Sequence, residues 1–119
     1  MGMEEHRHRI QRSLLIVEPV VGIELDSHDV NIFWTVPEAE SYVEPADIDN
    51  WLVFDANGKK LQITLTPEHQ KVTLVATGEA DKGRLQSFLE GYLSQPKLSR
   101  DRNVAALEKF SKRLRDSIE

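Results

Sequence analysis

Apolar and polar residues alternate along this chain in short runs, and the period of alternation changes from place to place. A period of two marks strands half-buried in a sheet, and a period near 3.6 marks helices with one apolar face. Residues 13–17 (SLLIV) form an apolar run that stops at Glu18 and Pro19, which predicts a strand ended by proline. Val21, Ile23 and Leu25 alternate with Gly22, Glu24 and Asp26; Val30, Ile32 and Trp34 alternate with Asn31, Phe33 and Thr35. Residues 26–29 between them have turn chemistry, so an N-terminal hairpin is expected.

Pro37 opens a different element. Proline suits the first helical turn, and Glu38 and Glu40 suit the positive end of a helix dipole. Ala39, Tyr42 and Val43 share one face, and Pro45 ends the helix near Glu44. Residues 45–50 read as a loop and 51–55 as a strand. Asn57 and Gly58 supply the positive φ values of a tight hairpin. Leu61, Ile63 and Leu65 alternate in the next strand, then Val72, Leu74 and Ala76 after a turn at 66–69. Residues 51–77 thus predict a three-stranded antiparallel meander. Asp81 is a candidate cap for a helix with Leu85, Phe88, Leu89, Tyr92 and Leu93 on one face, ended by Pro96. Ser99 is a candidate cap for a last helix with Val104, Leu107, Phe110, Leu114 and Ile118 inward.

The expected fold class is α+β. An antiparallel sheet of about five strands combines the N-terminal hairpin with the meander, a short helix lies between them, and two helices follow and cover one face. The 119 residues make one domain, 1–119. Residues 1–12, with His6 and His8 among arginines, read as a flexible tail. The helix over 99–119 is sparse in apolar residues and reads as loosely docked. Trp34, Trp51 and Phe54 read as core, while Tyr42 fits either core or interface.

Charge changes this picture. Residues 13–58 hold ten of the 20 acids and none of the 15 Lys and Arg residues. An anionic half repels phosphate backbones, which argues against nucleic acid, and attracts a basic protein surface. The candidate partner-binding residues are Glu38, Glu40, Tyr42, Glu44, Asp47, Asp49, Trp51 and Asp55, where carboxylates interleave with aromatics. Glu24 and Asp26 read instead as the solvent face of the first hairpin.

Catalytic chemistry finds little support. Cysteine is absent, which excludes disulfides and thiolate metal sites. No G-x-S-x-G elbow, phosphate-binding glycine loop or zinc-type histidine spacing occurs. Asp55-Ala56-Asn57-Gly58 starts like a calcium loop, but Lys59 and Lys60 follow and the downstream acid is missing. No enzyme activity, metal or cofactor is expected. No apolar run is long enough to cross a membrane and no secretion signal is read, so a cytoplasmic location is expected.

Two stretches carry a resemblance: A-x-x-Y-V-E-P-x-D from Ala39 to Asp47, and V-F-D-A-N-G-K-x-L from Val53 to Leu61. They resemble small immunity-type proteins of bacterial polymorphic-toxin and contact-dependent inhibition loci, over about a third of the chain. The resemblance implies a cytoplasmic protein that neutralises a cognate toxin domain by covering its surface. An acidic inhibitor fits a nuclease, whose cleft is basic. The alternative is an acidic secretion chaperone that dimerises through its C-terminal helix. The oligomeric state, monomer or homodimer, stays open at this point.

Overall fold

Val20 to Ile23 contains no polar side chain, and a strand that is apolar on both parities has to be covered on both faces. The computed structural model, which describes residues 16–68, 70–96 and 101–118, places this segment at the heart of the molecule. Strand β1 (Val20–Glu24) pairs antiparallel with β2 (Val30–Phe33) on one side and β3 (Trp51–Phe54) on the other. Strands β4 (Lys59–Leu65) and β5 (Val72–Ala80) complete a sheet of order β2-β1-β3-β4-β5. A short helix α1 (Val36–Tyr42) and a 3-10 helix (Pro45–Asn50) connect β2 to β3. Helices α2 (Lys82–Leu93) and α3 (Arg102–Ile118) follow the sheet. The α+β class, the hairpin, the meander and the three helices match the expectation. The run at 13–17 differs: Ile16 and Val17 are not strand, while its remainder and the tail 1–12 lie outside the described residues.

The sheet has two covered faces, not one. Val21 and Ile23 of β1 join Val30, Ile32 and Phe54 beneath α2 and α3. Val20 joins Phe33, Trp51 and Val53 on the opposite face, where Ala39 and Val43 of α1 close over them. The short helix therefore acts as the lid of a second core. Its apolar pair, four residues apart, is enough because the flanking aromatics supply the remaining area.

Helix α3 is not loosely docked. Leu107 is fully buried, and Val104, Phe110 and Leu114 are nearly so. The sparse apolar residues fall every three or four positions, so Val104, Leu107, Phe110 and Leu114 are buried while the charged ones stay outside; Ile118, expected inward, is 47% exposed at the helix end. Asp101 caps the helix by accepting the Val104 N–H at 3.0 Å, whereas Ser99 lies outside the described residues. Asp81 caps α2 as expected, accepting from Arg84 N.

Both sheet edges are met by side chains from helices. At the β2 edge the Ile32 N–H donates to Asn103 Oδ1 of α3 at 3.4 Å. At the β5 edge the Leu74 N–H donates to Glu40 Oε2 of α1 at 2.9 Å. An open edge invites pairing with another chain, and these two contacts occupy main-chain donors that would otherwise face outward.

Truncating Leu107 to Ala tests the docking of α3. The variant is expected to lose about 2–5 kcal/mol in urea unfolding, as for a fully buried leucine. A loss below about 0.5 kcal/mol is the size of a surface substitution and would show that the sheet does not depend on α3.

Candidate functional site

Gly22 sets the geometry of the α1 face. A Cβ there would stand 3.0 Å from the Trp51 ring and 3.1 Å from the Phe33 ring. The two aromatics come from the strands on either side of β1 and lean over the bare glycine. Tyr42, at the end of α1, rests on both, with ring centroids 5.2 Å from Phe33 and 5.8 Å, edge-on, from Trp51. Phe33 and Trp51 are buried, yet Tyr42 keeps 55% of its surface exposed. A half-exposed aromatic on a rigid buried base is the kind of side chain that anchors protein interfaces, because little freedom is lost on binding.

Acids surround this base. Glu24 is the cross-strand partner of Trp51. Its carboxyl is pushed up from the ordinary glutamate value, first by burial, then by the charges of Asp26, Asp29 and Asp47. Among the described residues, the charges that push Glu24 up are all aspartates. The local chain brings these acids together through Asn50, at the end of the 3-10 helix. Asn50 accepts the Asp26 N–H on its side chain at 3.0 Å and the Leu25 N–H on its carbonyl at 2.8 Å. This ties the β1–β2 turn to the 3-10 helix that carries Asp47. The acidic end continues toward the helices, where burial and then Asp29 and Asp101 push the Tyr92 hydroxyl up.

The eight residues singled out in the sequence divide into three groups. Tyr42, Asp47 and Trp51 belong to the aromatic and acidic surface, with Trp51 as its buried support. Glu38, Glu44 and Asp49 are exposed. Glu38 lies on the Tyr42 flank of α1 and also accepts the Trp34 N–H at 3.2 Å, while its own N–H donates to Thr35 Oγ1. Glu40, half-buried, and Asp55 are each held by main-chain N–H groups of the fold. Glu40 closes the β5 edge. Asp55 is fully buried, and its carboxylate accepts the N–H groups of Val17, Asn57 and Lys59. Asp55 is therefore a turn-building residue and not part of a contact surface.

Glu24 and Asp26, expected on the solvent face of the first hairpin, and Asp29, expected in its turn, join Asp47 beside Trp51 in the candidate site. Their signal was the alternation that puts Glu24 on one parity of β1; the missing information was the register that sets it opposite Trp51. Trp34 departs from expectation in the other direction. It is 57% exposed, because β2 ends at Phe33 and the Trp34 N–H turns to Glu38 at the start of α1.

Clefts open among the described residues. One of about 460 Å³ lies between the other flank of α1 and the start of β5, with Glu40, Glu44, Lys71 and Val72 on its walls. The second, about 280 Å³, is bordered by Lys82 and Arg113 on the side of the helical pair. Among the described residues no group of three His, Asp or Glu side chains is placed to hold a metal ion. Among them, too, no helix is long and apolar enough to cross a membrane. Compared with protein-family models, curated proteins and solved structures, the chain matches none.

The Glu24 carboxyl gives a pH-dependent test. Its folded-state pKa is raised, so the folded protein favours the protonated form. That advantage is fully present below the ordinary glutamate pKa and is lost as pH rises through the folded value. Glu24→Gln removes the loss. At neutral pH the variant should gain up to about 0.5 kcal/mol in thermal or urea unfolding, a surface-sized effect. The gain should vanish in acid below the ordinary glutamate range. A pH-independent change would mean that repulsion at this site is negligible.

Proposed function

We propose that this protein is a non-enzymatic inhibitor of a basic protein, an immunity protein that neutralises a cognate bacterial toxin domain, with a nuclease as the best-fitting target. The observation that carries the reading is the Tyr42 ring standing on Trp51 and Phe33 beside Glu24, whose carboxylate meets burial and then the repulsion of Asp26, Asp29 and Asp47. A cationic partner relieves that repulsion and gains a preorganised aromatic anchor in the same step. A nuclease cleft is built to hold phosphates, so its cations fit these carboxylates. The resemblance of residues 39–47 and 53–61 to immunity-type proteins points the same way, and the first of these stretches carries Tyr42 and Asp47.

The chaperone alternative draws less support. Dimerisation through the last helix requires an apolar face for the second copy, and Val104, Leu107, Phe110 and Leu114 already lie against the sheet.

The test is protection of growth against the C-terminal domain of the toxin candidate encoded beside this gene. The intact protein should protect and bind that domain at a rate that falls steeply with salt. Tyr42→Ala should cost about 2 kcal/mol or more in affinity, mostly through faster dissociation. Asp47→Lys should slow association and flatten the salt dependence. Full protection by a protein carrying both changes would sink the proposal.

A further inference from the structure

The main chain of β5 tells which of its groups face outward. At the turn before it, the Thr66 N–H donates to the Lys71 carbonyl at 2.9 Å, so Lys71 faces β4. Antiparallel ladders alternate, and β4 and β5 stay in step from Leu65↔Val72 to Leu61↔Ala76. Thr73 and Val75 therefore face β4, and the main-chain groups of Val72, Leu74 and Ala76 face away from the sheet. The bond from the Leu74 N–H to Glu40 agrees with this direction. Glu40 Oε2 stands where the carbonyl oxygen of a sixth strand would stand.

Space adjoins that position. The cleft of about 460 Å³ opens between Val72 and the α1 flank bearing Pro37, Glu40 and Ser41, with Glu44 and Lys71 at its rim. Its size falls in the range of ligand-binding pockets, roughly 300–1,000 Å³. The C-terminal part of β5 is less suited to pairing. Its register slips between Lys59 and Leu61, and Gly78 has a positive φ of 78°. Such an irregularity disfavours edge pairing beyond Ala76.

We propose that the cleft between α1 and β5 receives an extended segment of a basic partner, which adds to the sheet at Val72 and Leu74. Addition of a strand to an edge takes its affinity from main-chain hydrogen bonds and its selectivity from side chains on alternate positions. The added strand lies about 4.8 Å from β5. Its carbonyl replaces Glu40 as the acceptor of the Leu74 N–H. The released Glu40 carboxylate then joins Glu44 in meeting cationic side chains of the segment; among the described residues that line the cleft, Lys71 is the one base against these two carboxylates. A second copy of this chain fits less well, since it would bring two pairs of Glu40 and Glu44 toward each other. This inference deepens the binding-protein reading by naming how a partner segment docks, and it rests on that reading only for the partner's basic character.

The probe is a blocked pentapeptide, KVTVK, added at millimolar concentration to the intact protein while backbone amide resonances are followed by NMR. The amides of Val72, Leu74 and Ala76 should shift, with Leu74 moving most because its acceptor changes. The same peptide N-methylated at every residue, which leaves neither edge able to complete the ladder, should bind about tenfold more weakly. The acidic counterpart EVTVE should leave β5 unmoved. Equal binding of the N-methylated peptide would overturn the proposal, as would shifts confined to Tyr42 and Trp51, or no shift at all. Dimerisation through β5 without peptide would name a second copy as the occupant and overturn the basic-segment assignment. A silent β5 together with loss of toxin binding in the Tyr42 variant would reject strand addition and leave the immunity reading standing.

Discussion

The close approach of two aromatic rings to Gly22 governs the α1 side of this molecule. A methyl group at that position would come within 3.0–3.1 Å of Trp51 and Phe33, so the two rings would have to give by a few tenths of an ångström to stay over the central strand. Because they do lie there, the second core is shallow, and a helix of seven residues with Ala39 and Val43 beneath it suffices to close it. Because the helix is short, Tyr42 at its end overhangs the edge of that core and keeps one side in water. The exposed anchor is thus a geometric consequence of a missing side chain two layers below it.

The same face explains which parts of the fold were legible in the sequence. The meander was legible because Leu61, Ile63 and Leu65 alternate cleanly and Asn57-Gly58 names its own turn; Gly58 takes a φ of 76°. The last helix was legible as a helix, but its docking was not. Four apolar residues at the right spacing bury as well as a denser set, and only the sheet opposite reveals it. Strand β2 misled for a different reason. In a strand covered on both faces parity does not identify the buried residues, so Phe33 went inside while Trp34 was turned out by the start of α1.

The candidate site was legible in its charge and not in its membership. Glu40 and Glu44, four apart on a short helix, read as one acidic face. The partner of Glu40 is the Leu74 amide, 34 residues away, and no local pattern announces a contact at that separation. Asp55 looked like one more acid beside a hairpin, whereas three amides converge on it to build the turn and tether Val17. Glu24 looked like solvent-facing alternation, and only the pairing with Trp51 moves it into the site.

Hydrogen bonding to the backbone then sorts the ten acids of residues 13–58 by role. No base lies within that stretch, so none of these carboxylates has a basic neighbour close in sequence before Lys59. Glu18, Glu38, Glu40 and Asp55 accept main-chain N–H groups and so hold helix α1, the β5 edge and the β3–β4 turn in place. Among the described residues, the side chains of Glu24, Asp26, Asp29, Glu44, Asp47 and Asp49 make no such bond. Three of them, Asp26, Asp29 and Asp47, act on Glu24, whose carboxyl is pushed up first by burial and then by these charges. A fold that needed only solubility could scatter those charges. Here the Asn50 contacts to Leu25 and Asp26 gather them beside the one aromatic that overhangs the core, which is the arrangement a cationic partner would complete.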